Sequence, residues 1–356
     1  MREFPIVEPR VRLRTWLTLC YVLFIVYASL SPFTGWREQG LIFAEVLEMP
    51  LRQTYTAFDA TLNVLSYLPF GMLACMVFRA RFGAGASVAA AFLMGTLLSA
   101  CMEYLQMYLP TRFSTNTDLL SNSTGTLAGA LLAARMYSRA GIVAKLAYWR
   151  HSLFHHGKEA DFGLALLALW MFGQINPSLP MLGNVFISEV VQQPFVKLPP
   201  TPFNWWESSA VALNLLMLGA LMLSLLRERG NVAPVLLAVL SMVAVTKFLG
   251  AALLLKSWAL LLWINSEAML GMLLGMILLL AILFFPRTMV LFFGAVAGLI
   301  YFSIVNFALD SNTPSAAASV YHWHYGHLLN YNGMSQTITL IFPALLLFHL
   351  WRSRKV

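Results

Sequence analysis

The sequence predicts an all-α protein, a polytopic bundle of about ten transmembrane helices with both termini in the cytoplasm. Hydrophobic residues make up 59% of the 356-residue chain and charged residues only 11%, whereas soluble domains average about 25% charged residues. Long apolar runs match the roughly 20 residues that a helix needs to cross a bilayer. Lysines and arginines lie mainly between these runs, on alternate connections, as the positive-inside bias predicts.

The apolar runs predict ten spans in chain order. They lie near residues 15–33, 57–79, 84–108, 117–137, 160–178, 207–226, 232–255, 260–285, 288–309 and 334–351. The basic N-terminal stretch "MREFPIVEPRVRLR" resembles the start of a signal peptide, but the many later runs favour an uncleaved first helix.

The distribution of charge provides an independent check on the number of spans. With the N-terminus inside, 17 of the 23 lysines and arginines fall in cytoplasmic segments, five fall in external loops, and Lys247 lies within a span. A missed helix would move much of the cytoplasmic charge outside, so the split favours an even number of spans. Topology therefore explains the net charge of +8, and we expect the lipid bilayer, not nucleic acid, as the partner.

The basic segment 138–159 divides the chain into a four-helix membrane domain, residues 1–137, and a six-helix membrane domain, residues 160–356. The second domain shows weak similarity to the first. "YASLSPF" ends the first span and "INPSLP" ends the fifth, while "DLLSNSTGTLAG" opens the fourth and "EAMLGMLLG" opens the eighth. These pairs suggest that the second domain is a degenerate repeat followed by two further helices.

Polar side chains concentrate at the predicted outer ends of spans two, three and four. Each span contributes a pair spaced three or four residues apart, so each pair shares one helix face. Arg112, on the turn between spans three and four, is the nearest cation. Ionisable groups at this depth are costly unless they face protein or water, so we expect an outward-facing polar cavity with seven binding residues: Asp59, Asn63, Glu103, Gln106, Arg112, Asp118 and Asn122.

Two further features of these spans concern their packing. Gly125 and Gly129 lie on the helix face of Asp118 and are expected to let another helix approach closely. Thr117 or Asn116 is expected to cap the fourth span. The alternative to a cavity is that the polar side chains only hold the helices together.

The same residues, in order, carry a family resemblance. "SLSPF", then "D…NVLSYLPFG", then "E…Q…LPTR…S…D…SN…G…G" resemble the VanZ-like family of bacterial membrane proteins over residues 28–132. By this resemblance Pro69, Gly71, Pro110 and Gly125 also occupy motif positions. The resemblance implies a multi-pass protein of the bacterial plasma (inner) membrane. It also implies a link to glycopeptide resistance, because the family's namesake is associated with resistance to the lipoglycopeptide teicoplanin.

Three functions are compatible with the pattern. The favoured one is binding of an amphipathic or lipid-linked envelope molecule, with the carboxylates and Arg112 holding its polar head. The second is a membrane enzyme acting on a lipid-linked substrate with Glu103 or Asp118 as general base, although no catalytic residue is assigned. The third is a transporter, suggested by the repeat and by Lys247 in mid-membrane. The pattern names neither the ligand nor the oligomeric state.

Two other groups of residues are candidate sites. His322, His324 and His327 lie close together in "YHWHYGHLLNYNG", and three imidazoles can ligate zinc. The surrounding aromatic residues are more typical of a membrane-interface belt, so we predict no metal and no cofactor. Lys247 is expected to pair with an acid, Glu207 or Glu267.

Overall fold

The computed structural model describes residues 11–31, 33–48, 57–138, 140–185, 203–309 and 326–354. These residues form helices and connections, and their only β-type pairing is an isolated bridge between Phe154 and Leu226. The predicted all-α class is therefore confirmed. The chain divides into two compact units, Met1–His151 and Ser152–Val356.

Seven described helices are long and apolar enough to cross a membrane, and the helix Ser266–Ile282 is apolar but shorter. Helices also occupy the predicted span near 117–137 and most of the one near 160–178, but the first is more polar and the second is short. A multi-pass membrane protein is thus supported. The count of ten spans, the location of both termini and the predicted domain boundaries stay predictions.

The first unit contains six helices among the residues described. They are α1 (Val11–Leu30), α2 (Phe43–Glu48), α3 (Ala57–Phe78), α4 (Ala84–Gln106), α5 (Asn116–Ser138) and α6 (Ala140–Leu153). The short helices α2 and α6 were not predicted, because neither contains an apolar run of membrane length. Helix α6 occupies most of the segment that the sequence marks as a basic connection.

Helices α3 and α5 approach each other at backbone distance through glycines. A Cβ atom added at Gly125 would overlap the backbone carbonyl of Val64, and one added at Gly129 would overlap that of Leu68. Gly71 of α3 lies equally close to the backbone of α5. Small residues allow this approach between helices in bilayers, where dispersion contacts drive helix association.

The second unit also contains six described helices. They are α7 (Lys158–Gly173), α8 (Trp205–Leu225), α9 (Val232–Leu254), α10 (Ser266–Ile282), α11 (Arg287–Phe307) and α12 (Gly326–Ser353). Helix α8 lies at the centre: 83% of its apolar stretch is buried within the protein, compared with 22–44% for the other six candidate spans. It contacts α7, α9, α10, α11 and α12.

A non-helical segment, residues 174–185, is mostly buried after α7. Such backbone is tolerated at membrane depth only where its polar groups find partners in the protein or line a water-filled cavity. The Oε1 atom of Glu207 accepts hydrogen bonds from the backbone N–H groups of Asn184 at 2.7 Å and Val185 at 3.2 Å. The first turn of α8 therefore holds one end of this segment.

Lys247 of α9 holds the other end of the same segment. Its ammonium group is fully buried and donates to the backbone carbonyls of Asn176 at 2.6 Å and Leu179 at 2.9 Å. It forms no ion pair with Glu207, Glu267 or any other described carboxylate. The expected ion pair is therefore wrong, because the exposed carbonyls of an unwound segment supply the acceptors instead.

The glycine contact between α3 and α5 gives the first prediction. Gly129→Ala should lower the melting temperature of the purified protein, because the added methyl would lie 2.9 Å from the carbonyl carbon of Leu68 and 3.0 Å from the amide nitrogen of Met72. Thermal unfolding in detergent, followed by intrinsic fluorescence, measures the change.

Gly85 of α4 is the matched control, since a Cβ added there meets no atom within 4 Å. Gly85→Ala should leave stability unchanged or raise it by up to about 1 kcal/mol, the helix preference of alanine over glycine. Equal melting temperatures for the two variants would contradict the close approach.

Candidate functional site

Two acids of the first unit, the buried Glu103 and the half-buried Asp118, converge on one threonine. Glu103, in the last turn of α4, is 4% exposed, and its Oε2 atom accepts a hydrogen bond from the backbone N–H of Thr115 at 3.0 Å. The hydroxyl of Thr115 donates to Oδ2 of Asp118 at 2.7 Å. A single residue therefore holds both carboxylates, one through its backbone and one through its side chain.

The same threonine caps α5. The helix begins at Asn116, and the N–H of Asp118 donates to the Thr115 hydroxyl at 3.1 Å. This is the hydrogen bond of an N-cap residue. The sequence-based choice of Thr117 or Asn116 as the cap is therefore wrong by one or two positions. The pattern of a threonine followed three residues later by an acid resembles the capping box and could have identified Thr115.

Helix α3 completes the cluster. The side-chain amide of Asn63 donates to Oδ1 of Asp118, so Asp118 receives side-chain hydrogen bonds from both Asn63 and Thr115. We refer to Asn63, Glu103, Thr115 and Asp118 as the carboxylate cluster. Three helices thus meet at one polar point. Asp59 lies one turn before Asn63, at the start of α3.

Asn122 extends the polar face one turn further along α5. Its side-chain amide donates to the hydroxyl of Ser99 on α4 at 2.9 Å, and both residues are buried. Its Oδ1 atom is buried without a hydrogen-bond partner among the described residues. Buried polar atoms are nearly always paired with protein or ordered water. This oxygen is therefore an acceptor still able to bind a donor.

Gln106 and Arg112 hold the C-terminal end of α1. Gln106 donates to the carbonyl of Ser29 at 3.0 Å, and Arg112 donates to the carbonyls of Ala28 at 2.9 Å and Ser31 at 3.1 Å. The last carbonyls of a helix lack intrahelical partners, and basic side chains commonly bind them. Burial lowers the pKa of the Arg112 guanidinium, but arginine stays charged at neutral pH.

The structure therefore divides the seven predicted residues into groups. Asn63, Glu103 and Asp118 form one hydrogen-bonded network with Thr115. Asn122 lies one turn from that network, while Gln106 and Arg112 bind the end of α1. Asp59 lies in the first turn of α3, one turn before Asn63. Sequence reasoning missed Thr115 and Ser99. The Thr115 cap is local to the start of α5, whereas its backbone bond to Glu103 and the bond between Asn122 and Ser99 form only when α4 and α5 pack together.

Comparison with known families identifies this region. Residues 15–137 match the family model described as VanZ/LLP1. This segment is VanZ-like. The match contains α2, α3 and α4, nearly all of α1 and α5, and the carboxylate cluster, so the resemblance noted in the sequence is confirmed there. No curated protein and no solved structure matches the chain.

The other candidate site falls largely outside the structure. His322 and His324 are not among the described residues, and His327 lies at the start of α12 without a described side chain. Within the described ranges, no three His, Cys, Asp or Glu side chains come together as a metal site would require.

The double role of Thr115 gives the second prediction. Thr115→Val removes the hydroxyl that caps α5 and binds Asp118 but keeps the backbone N–H that binds Glu103. It should destabilise the protein by about 0.5–2 kcal/mol, the usual cost of losing a cap. Thr124→Val is the control, because the Thr124 hydroxyl is exposed and bonds only within α5. An unchanged melting temperature for Thr115→Val would argue against this role.

Proposed function

We propose that the VanZ-like unit binds the polar head of an amphipathic or lipid-linked envelope molecule at the carboxylate cluster. The observation that carries the proposal is the convergence of Glu103 and Asp118 on Thr115. Two acids placed at one point among apolar helices are expensive in a membrane, and such residues usually serve binding or transport. In this proposal the site opens outward, and the protein lies in the bacterial plasma membrane.

The chemistry of the cluster selects the kind of head group. Carboxylates accept hydrogen bonds, and the buried Oδ1 atom of Asn122 is a further acceptor. Arg112, the basic residue of the neighbouring turn, already donates to the end of α1. The site therefore favours a head rich in N–H or O–H donors, such as a sugar, a peptide or an ammonium group, over a head that is only a phosphate.

The surface around the cluster suits an acyl tail. Leu65 of α3, Tyr104 of α4 and Leu120 of α5 are 52%, 45% and 56% exposed, and Phe113 on the intervening turn is 78% exposed. In a bilayer these side chains face lipid. A ligand with its head at the carboxylates could therefore keep its tail among acyl chains, where each buried methylene contributes about 0.8 kcal/mol.

Lipoglycopeptides combine the two properties that this site favours, a donor-rich head and an acyl chain. The resemblance to a family whose namesake is associated with teicoplanin resistance makes them one ligand class to test. Lipid-linked envelope precursors carrying sugars and peptides form the other class. A role in glycopeptide resistance is part of the proposal and depends on the first class being bound.

Photocrosslinking tests the proposal in native membranes. A photoreactive phenylalanine analogue at Phe113 should capture a lipid-like species, detected by mass spectrometry. Glu103→Gln and Asp118→Asn keep the shapes of the side chains but replace each carboxyl group with an amide. Each should reduce the adduct several-fold, since a net hydrogen bond contributes about 0.5–1.5 kcal/mol and one to a charged group about 1.5–3 kcal/mol.

The same analogue at Phe284, which is 90% exposed in the second unit, controls for random labelling by bulk lipid. Equal adducts from Phe113 and Phe284 would overturn the proposal. So would an adduct at Phe113 that Glu103→Gln and Asp118→Asn leave unchanged.

A further inference from the structure

The helices of the second unit follow those of the first at a nearly constant separation along the chain. Helix α8 begins 148 residues after α3 (205 against 57), and α9 begins 148 residues after α4 (232 against 84). Helix α10 begins 150 residues after α5 (266 against 116). The helices α4 and α9 also have the same length, 23 residues.

The glycine contacts recur at the same separation. In the first unit, Gly125 of α5 lies against the carbonyl of Val64 on α3. In the second, a Cβ added at Gly275 of α10 would lie 2.9 Å from the carbonyl oxygen of Ala212 on α8. Gly275 is 150 residues after Gly125, and Ala212 is 148 residues after Val64. One backbone contact therefore occurs twice, at matching positions.

The helix caps recur as well. Thr115 accepts a hydrogen bond from the N–H of Asp118 at the start of α5, and Asn265 accepts one from the N–H of Ala268 at the start of α10, at 2.8 Å. Both residues of the second pair are 150 residues after their counterparts. A side-chain cap thus begins both α5 and α10, at corresponding positions.

A looser similarity lies at the end of α1 and in the segment after α7. The carbonyl of Ser29 accepts from Gln106 of α4, and the carbonyl of Leu179 accepts from Lys247 of α9. The "SL" pairs at 29–30 and 178–179 are 149 residues apart. Gln106 and Lys247 are 141 residues apart and do not correspond by number, so the similarity is one of arrangement only. A side chain of α4 binds the last turn of α1, and a side chain of α9 binds the segment that follows α7. The units differ most at α9, which is not among the main neighbours of α10, whereas α4 contacts α5.

We propose that residues 158–282 are a diverged copy of the VanZ-like unit that has lost its ligand site. At the same separations, the polar residues of the first unit correspond to apolar ones: Asn63 to Val211, Glu103 to Ala251, Gln106 to Leu254, Asp118 to Ala268 and Asn122 to Met272. The copy keeps the glycine contact and the cap without these side chains. The helix packing of the copy therefore does not require these polar side chains. Their role in the first unit is binding, and this step rests on the proposed function.

One acid of the first unit has an acidic counterpart in the copy, and the chain itself occupies that counterpart. Glu207 is 148 residues after Asp59, and it accepts the backbone N–H groups of Asn184 and Val185. Glu207, at the start of α8, therefore binds amide donors, which are the kind of group inferred for the ligand of the first unit. The chain should consequently bind one ligand, at the carboxylate cluster.

Replacing polar residues of the first unit with their apolar counterparts from the second tests the inference in the whole chain. The combined variant Asn63→Val, Glu103→Ala, Asp118→Ala and Asn122→Met gives the first unit the apolar residues of the second. It should keep its helical circular dichroism and lose less than about 4 °C of melting temperature, roughly 1 kcal/mol for a unit of this size. The lipid-like adduct from position 113 should disappear. Aggregation or a larger loss of stability would overturn the inference, because it would make the cluster architectural.

Two glycine variants test the repeat separately from the ligand. Gly125→Ala and Gly275→Ala should both lower the melting temperature, whereas Gly230→Ala, with open space around its Cβ position, should not. A neutral Gly275→Ala would overturn the repeat. If the wild type itself yields no adduct while the combined variant folds normally, the proposed ligand fails and the inferred duplication stands.

Discussion

Polar groups inside an apolar helix bundle must find their hydrogen-bond partners within the protein, because the bilayer core supplies no water. Both units follow this constraint. In the first, Thr115 provides donors to two acids while capping a helix. In the second, Lys247 and Glu207 bind the carbonyl and N–H groups of an unwound segment. The arrangement of the helices therefore depends on a few side chains that serve more than one partner.

The positions of the helices could be predicted from the sequence because the length and composition of apolar runs decide them locally. The predicted span near 84–108 corresponds to the helix Ala84–Gln106, and that near 232–255 to Val232–Leu254. The helix face shared by Asp118 and Asn122 could also be predicted, because spacing along a helix fixes which residues share a face. These inferences need no knowledge of neighbouring helices.

Hydrogen-bond partners could not be predicted in the same way. Lys247 was expected to bind an acid, but the carbonyls of Asn176 and Leu179 reach it only because the chain unwinds after α7. Thr115 is distant in sequence from Glu103 and meets it only when α4 and α5 pack together. Sequence spacing identifies which residues face a common direction, whereas tertiary packing decides which of them touch.

The hydrogen bonds of Arg112 join the C-terminal end of α1 and the turn before α5 into a single mechanical element. The guanidinium holds two carbonyls of the α1 end, and it lies only three residues from Thr115, the shared partner of both acids. A displacement of that turn would therefore pull on α1. The last turn of the first helix and the turn that holds both acids are therefore coupled through one side chain.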